Sequence, residues 1–326
     1  MFSTLQPYEV FSMLWGHAEQ FQKALLGDYD ASAVQVYWET MARSSWTTSD
    51  VLSDAELWEN RAKVMPFFIH SDGGEIYKNG SYTIYQWCTP FAFNINPKDS
   101  RLYILMIDEA IRTEKTETEV ASYLSYQNEV LKSGVHPSLD HDGNPVTGSK
   151  VDLIGKKLAG GWRAAFSAWT GDLKEDVKVH KLHRNYQCNF FCKKCLACKH
   201  KHNGNGYDFN IGAFWTRNLV NHATYLDTTA PERRSPYCQM KGWTIHRSRE
   251  DDLHQIWLGF AKGPCDVFRI IWFFAQQCAC NWRRGCEKGF PLRFNIGSGR
   301  LSSCMLSIGQ GTKCEQGKGG QPPPLP

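Results

Sequence analysis

Two aspartates in this chain have the residue type and the sequence setting of divalent-cation ligands. Asp72 lies in the sequence SDGG and Asp172 in the sequence TGDL, each directly after an apolar segment that predicts a strand. Hard cations such as Mg²⁺ or Mn²⁺ prefer oxygen ligands, and two carboxylates at one edge of a sheet would repel each other unless they shared a cation. Asp-Gly and Gly-Asp are also frequent turn dipeptides, so the alternative is that both aspartates only form turns.

Closely spaced cysteines indicate a second kind of metal site. Four cysteines follow the spacing C-x3-C-x2-C-x2-C, and two histidines come directly after them. Zinc prefers thiolate and imidazole ligands, and a gap of two residues lets both sulfurs of a pair reach one tetrahedral ion. The first pair is either Cys192 with Cys195 or Cys195 with Cys198, and the spacing does not choose the second pair. The candidate ligands are Cys188, Cys192, Cys195, Cys198, His200, His202, His222, Cys238 and His246. The alternative is a set of partly buried thiols and exposed histidines.

A third motif is Asp251-Asp252-Leu253-His254, which follows a predicted strand over residues 242–246. The motif is typical of the start of an amphipathic helix, where Asp251 or Asp252 can cap the first turn. The functional alternative is that Asp251 and His254 position a nearby metal, the other carboxylates or a nucleic-acid backbone.

The charges are unevenly distributed, although the formal net charge is only +4. Residues 1–60 contain nine acids against Lys23 and Arg43, whereas residues 177–202 contain seven Lys/Arg, four His and no acid. A basic patch of this kind can hold a polyanion, although solvated basic faces are also common. The candidate nucleic-acid-binding residues are Lys178, Lys181, Arg184, Lys193, Lys194, Lys199 and Lys201.

The elements that must position these residues follow from hydrophobic periodicity and turn residues. Three successive strands predict a meander, and a helical crossover then adds a fourth strand parallel to the first. If the first strand neighbours the fourth, Asp72 and Asp172 lie side by side. The predicted helices cover residues 8–26, 31–42, 116–133 and about 175–184. The predicted strands cover residues 67–70, 81–93, 101–107, a segment that ends near Asp172, and 242–246.

These motifs in this order resemble the transposases of CACTA-type and Plavaka-type DNA elements, within the eukaryotic DDE superfamily. The resemblance spans roughly residues 65–262. It implies an α/β fold with an RNase H-like mixed sheet flanked by helices, and DNA strand cleavage or joining by metal-dependent phosphoryl transfer. It also implies that Asp72 and Asp172 are the first two metal ligands, that Cys192/Cys195 or Cys195/Cys198 is the family's cysteine pair, and that Asp251 and His254 form its D-x-x-H motif.

The chain departs from the family in its third acid, which should be a glutamate on a helix beyond the insertion. After His254 the sequence offers only Glu287 and Glu315, in Gly/Cys-rich and Gly/Lys/Gln-rich contexts that do not predict a buried helix. We therefore expect an incomplete catalytic centre. The expected domain organisation is a helical N-terminal region (1–60), a transposase-type core (61–262) with a Cys/His-rich insertion (185–246), and a degenerate or disordered C-terminal segment (263–326).

The expected setting is intracellular, in the nucleus, with DNA as the partner and no membrane. The N-terminus has no signal-peptide pattern, and no apolar stretch reaches the roughly 20 residues that a membrane helix needs. In a reducing compartment, clustered cysteines bind metal more often than they form disulfides. Structural Zn²⁺ is therefore expected, with Mg²⁺ or Mn²⁺ if the protein is active. Two alternatives remain: a non-catalytic zinc-containing nucleic-acid-binding protein, and a truncated relic without function. The sequence does not indicate an oligomeric state.

Overall fold

A mixed five-stranded sheet forms the centre of the computed structural model, which describes residues 4–43, 49–77, 80–92, 95–184, 188–199, 208 and 212–250. The strands are β1 (Val64–Tyr77), β2 (Gly80–Cys88), β3 (Leu102–Asp108), β4 (Arg163–Gly171) and β5 (Ser248–Glu250). Their order is β3-β2-β1-β4-β5. The first three form an antiparallel meander, β4 pairs parallel with β1, and β5 pairs parallel with β4. The predicted meander and the predicted parallel pairing of the first and fourth strands are confirmed.

Helices precede the sheet, cross between β3 and β4, and follow β4. They are α1 (Pro7–Trp15), α2 (Ala18–Phe21), α3 (Ala31–Ala42), α4 (Asp50–Ser53), α5 (Ala55–Glu59), α6 (Pro97–Ser100), α7 (Thr116–Ser133), α8 (Leu173–Lys178), α9 (Phe214–Arg217) and α10 (His222–Thr228). A π-helical segment, Gln22–Leu26, continues α2. Short 3₁₀ turns lie at Arg61–Lys63, Glu109–Ile111, Gly148–Leu153, Pro231–Arg233 and Pro236–Gln239.

The helices over residues 31–42 and 116–133 have the predicted bounds because their ends carry strong local signals. Asp30 caps α3 by accepting the backbone N–H groups of Ser32 and Ala33. Gly134 ends α7 in the left-handed conformation, with φ of 69°. The single helix predicted over residues 8–26 is wrong, because the chain leaves the helix at Gly16 and resumes it at Ala18.

Strand β1 is longer than predicted, and Asp72 lies within it rather than in a turn. The strand continues through residues 71–74, where Asp72 pairs with Ile84 of β2 and Gly73 pairs with Thr83. The sequence SDGG looked like a turn because of its composition. The β-branched and aromatic residues of β2 supply a partner along its full length, and this pairing keeps SDGG extended.

Two predictions near the end of the described chain are also wrong. The basic helix predicted over residues 175–184 ends at Lys178, since Lys181 adopts a φ of +52°, which a continuing helix does not allow. The strand predicted over residues 242–246 is a series of turns, and β5 begins at Ser248. Trp243 and Ile245 supplied the strand-like pattern, but they are buried apolar residues of the core.

One buried apolar cluster joins the N-terminal helices to the sheet and to α7. Phe11 and Trp38 from the helices, Trp87 and Trp169 from the sheet, and Leu124 from α7 all belong to it. On the part of the chain that the structure describes, no helix is both long enough and apolar enough to span a membrane.

The crossover helix α7 is fixed to β4 by a polar contact within the core. The side-chain oxygen of Asn128 accepts the Phe166 backbone N–H at 3.1 Å, and its amide nitrogen donates to the Lys241 carbonyl at 3.2 Å. Asn128 is 1% exposed, so both hydrogen bonds satisfy groups that water cannot reach. This contact sets the position of β4, whose end leads to Asp172.

Candidate acidic site and cysteine-rich segment

The parallel pairing of β1 and β4 brings the part of β1 that contains Asp72 close to the end of β4, which Asp172 follows. In the parallel pair of β1 and β4, His70 lies opposite Thr170. Each aspartate follows two residues later in its own segment. A Cβ atom added to Gly171 would lie 3.1 Å from the carbonyl oxygen of Ser71. The backbones of β1 and β4 are therefore still in contact one residue before the aspartates. The expectation that the fold brings these two positions together therefore has a direct basis in the register.

The two aspartates have different local roles. Asp72 is exposed within β1. Asp172 is half-buried and caps α8, where its Oδ1 accepts the backbone N–H of Lys174 at 2.7 Å and that of Glu175 at 3.1 Å. An aspartate at a helix N-cap satisfies donors that would otherwise lack partners and lies near the positive end of the helix dipole. Asp172 thus has a structural function, whatever else it binds.

Glu175 is a third carboxylate near these aspartates, and the sequence did not predict it as a site residue. Glu175 is 3% exposed and lies against Gly171. Burial raises its pKa to about 7, opposed by a hydrogen bond from Ser71 and reinforced by the charge of Asp172. Ser71 in turn accepts the indole N–H of Trp169 at 2.8 Å. The sequence signal was the spacing Asp172-x-x-Glu175, which is typical of the first turn of a capped helix.

Glu109, directly after β3, is a fourth carboxylate in this area. The ammonium of Lys178 lies 2.7 Å from its Oε1, and the hydroxyl of Thr83 donates to the same oxygen at 2.6 Å. Arg112 also pairs with Glu109, at 3.2 Å. Burial opposes ionisation, but the hydrogen bonds from Lys178 and Thr83 hold the pKa of Glu109 below its usual range. Lys178 therefore links α8 to the end of β3.

A cluster of buried polar side chains surrounds Glu117 of α7. Its carboxylate accepts the hydroxyl of Tyr85 at 3.1 Å and that of Tyr237 at 2.5 Å, and it is paired with Arg112. Burial raises the pKa of Glu117, opposed by the charge of Arg112. These contacts tie α7 to β2 and to the 3₁₀ turn Pro236–Gln239.

The cysteine-rich segment, residues 188–199, brings Cys192 and Cys195 into contact. The two thiols are hydrogen bonded to each other, and this bond together with burial raises the pKa of Cys195. The Lys194 backbone N–H donates to the Cys192 Sγ at 3.4 Å. Cys198 is buried and Cys188 half-buried. Within the described ranges, no group of three or more His, Cys, Asp or Glu residues is arranged to hold a metal ion.

The other described candidate zinc ligands are neighbours, since the His222 ring is stacked on that of Tyr225 and the charge of His222 acts on His246. Cys238 contacts Tyr225, and burial raises the pKa of its thiol to about 11. His222 and His246 are half-buried, and burial lowers the pKa of each ring. Several predicted site residues lie outside the described residues, namely His200, Lys201, His202, Asp251 and His254.

The predicted nucleic-acid-binding residues differ in burial. Lys178 pairs with Glu109, Arg184 donates to the Cys195 carbonyl at 2.9 Å, and Lys193 pairs with Asp176. Lys193 is 4% exposed and both oxygens of Asp176 accept from it, at 2.8 and 2.7 Å. Lys181 and Lys199 are exposed and Lys194 is half-buried.

No protein-family model, no curated protein and no solved structure matches this chain.

Proposed function

We propose that this chain is a transposase-derived, DNA-binding protein with an RNase H-like core and an incomplete catalytic centre. The observation that carries the proposal is the parallel register of β1 and β4, whose last pair, His70 with Thr170, lies two residues before Asp72 and Asp172. The strand order β3-β2-β1-β4-β5, with a meander followed by two parallel strands, supports the RNase H-like part of the proposal because it is the order of that fold.

The residues at this end of the sheet fit one divalent cation better than two. Asp72 offers an exposed carboxylate, and one oxygen of Asp172 is already engaged by two backbone N–H groups of α8. Glu109 is neutralised by Lys178 and Arg112. Two-metal phosphoryl transfer needs additional ligands, and the described residues do not supply an arranged third one. Mg²⁺ or Mn²⁺ would thus be held by Asp72 and Asp172, without the completed centre that strand cleavage requires.

A non-catalytic, zinc-containing nucleic-acid-binding protein is the second candidate. The observation that favours it is the contact between Cys192 and Cys195, with the Lys194 N–H directed at the Cys192 sulfur. Two cysteines with this spacing can supply half of a tetrahedral zinc site. In this alternative, Asp172 only caps α8 and Asp72 only faces solvent.

Metal-dependent stability distinguishes the two candidates. Under the first proposal, Mn²⁺ raises the melting temperature of the purified full chain, and Asp72→Ala or Asp172→Asn abolishes the increase, since each removes a ligand. Asp142→Ala, at an exposed aspartate of a distant loop, is the matched control and keeps the response. A Mn²⁺ effect that survives Asp72→Ala, or no effect in the wild type, contradicts the cation site.

DNA binding and zinc content complete the test. Both candidates expect salt-sensitive DNA binding, because phosphate contacts release counterions. Both also expect about one zinc per chain, lost in Cys192→Ser/Cys195→Ser. Mn²⁺-dependent cleavage of DNA by the wild type, abolished in Asp72→Ala, would show that the catalytic centre is complete and overturn that part of the proposal.

A further inference from the structure

An aromatic ring stands exposed on the cysteine-rich segment, held next to a guanidinium group. Phe190 is 45% exposed, and the guanidinium carbon of Arg184 lies 5.2 Å from the centroid of its ring. Arg184 also donates to the Cys195 carbonyl, so its position is fixed by the segment. An arginine anchored by a backbone contact and stacked on an aromatic ring gives that ring a defined orientation at little further entropic cost.

A lysine also lies next to this ring. The Lys199 backbone N–H donates to the carbonyl of Asn189, which places Lys199 next to Phe190, and both Lys181 and Lys199 are exposed. Residues 177–199 contain no acid. The charges of Lys178 and Lys193 are neutralised by Glu109 and Asp176, so these two lysines add little to an exposed basic surface.

A second exposed ring belongs to the same part of the chain. Phe214, at the start of α9, is 53% exposed. The segment from Phe214 to Asn218 is joined to the cysteine-rich segment because the Leu196 N–H donates to the Asn218 carbonyl at 2.9 Å. Cys195 and Cys198 of the cysteine-rich segment are buried.

We infer that Phe190, stacked on Arg184 and next to Lys199, is a stacking surface for an unpaired base of DNA. Exposed aromatic rings bind bases through their faces and cations bind the backbone, a combination that proteins use for single strands. In a duplex the base faces are already stacked on one another, so the ring has nothing to bind there. The inference rests on the proposed DNA binding and adds to it a preference for single-stranded regions.

The test compares single-stranded and duplex DNA with the full chain. Binding of a fluorescein-labelled oligothymidylate and of a labelled hairpin duplex is measured by fluorescence anisotropy at several salt concentrations. Phe190→Ala should weaken single-strand binding about tenfold, consistent with the value of one base stacked on an aromatic ring, and should change duplex binding less than about twofold. Phe190→Trp should restore single-strand binding, since it retains an aromatic face.

Two further variants separate stacking from charge and from general surface effects. Lys199→Ala should weaken binding of both DNA forms and reduce the slope of log K against log salt by about 0.7 for the single strand. Ile111→Ala, which removes an equally exposed apolar side chain at the end of β3, should change neither. Melting temperatures of all variants verify that they fold.

The outcomes distinguish this inference from the proposed function. If the duplex binds and Phe190→Ala has no effect, or weakens both DNA forms equally, the stacking surface is overturned while DNA binding stands. That result would also be the one expected if Phe190 served a protein partner. If neither DNA form binds the wild type, both the stacking surface and the proposed DNA binding fail.

Discussion

At the scale of single residues, four carboxylates lie near the end of β4, and they differ in burial and in their charged neighbours. Asp72 is exposed, Asp172 caps a helix, Glu109 is paired with Lys178 and Arg112, and Glu175 is buried. The surroundings decide the behaviour of each acid, since burial favours the neutral form and cationic neighbours favour the charged form. Asp172 is half-buried and Glu175 is buried, although they are only three residues apart.

Glu175 should make the stability of the protein depend on pH. Burial raises its pKa from 4.5 to about 7 in the folded protein, so the folded chain binds this proton more tightly than the unfolded chain. The stabilisation from neutral Glu175 is complete below about pH 4.5 and is lost as the pH rises to about 7, in total about 3 kcal/mol.

Glu175→Gln should therefore raise the free energy of unfolding above pH 7 relative to the wild type and remove this part of the slope between pH 4.5 and 7. Urea unfolding at a series of pH values measures both effects. Glu119→Gln, at an exposed position of α7, is the control and should leave the profile unchanged. A wild-type profile that Glu175→Gln does not alter would show that Glu175 ionises as it does in the unfolded chain.

At the scale of elements, the short helix α8 depends on its neighbours. Six residues are too few for a helix to be stable by itself. Asp172 caps its start, Lys178 links its end to Glu109, and Asp176 pairs with Lys193 of the cysteine-rich segment. These contacts hold the helix that presents Asp172, so the cysteine-rich segment and the acidic end of the sheet are structurally connected.

Lys193→Met tests this connection. The substitution leaves the buried carboxylate of Asp176 without its ammonium partner, which should lower the free energy of unfolding by about 3–5 kcal/mol. Adding Asp176→Asn should recover a large part of the loss, because the uncompensated charge disappears. Lys174→Met, at an exposed position of the same helix, is the matched control. Chemical denaturation measures all four proteins, and a loss below about 1 kcal/mol for Lys193→Met would mean that the pair is solvated rather than buried.

The elements also show which patterns were predictable. Helices α3 and α7 begin or end at residues whose local chemistry is decisive, Asp30 and Gly134, and their bounds were predicted correctly. The extension of β1 through Asp72 was not predicted, because the sequence SDGG favours a turn unless a partner strand is available. Pairing with β2 is a long-range interaction, and no local pattern contains it.

At the scale of the whole molecule, the N-terminal helices and the sheet share one core. The indole N–H of Trp38 in α3 donates to the carbonyl of Val64 in β1 at 2.6 Å, and Trp38 is fully buried. The acidic N-terminal region, which the sequence predicts to be helical, thus contributes side chains to the core of the sheet. The N-terminal region covers the beginning of β1, where Val64 lies.

Trp38→Ala should consequently destabilise the sheet and the helices together. The loss of a fully buried tryptophan should cost about 3–5 kcal/mol, and unfolding followed by far-UV and near-UV circular dichroism should remain one transition. Trp15→Ala, at an indole that is 42% exposed, should cost less. Two separate transitions, of which Trp38→Ala shifts only one, would show that residues 1–60 unfold independently of the sheet.

The sequence by itself determined helices α3 and α7, the order of the first four strands, the two candidate aspartates and the cysteine spacing, because hydrophobic periodicity, helix caps and ligand spacing are local properties of the chain. The tertiary structure decided which charges are buried and which are exposed. It showed Glu175 buried, Lys193 paired within the fold, and Phe190 exposed beside Arg184. Burial and ion pairing depend on the packing of segments that are distant in sequence, so no local pattern of residue types could have predicted them.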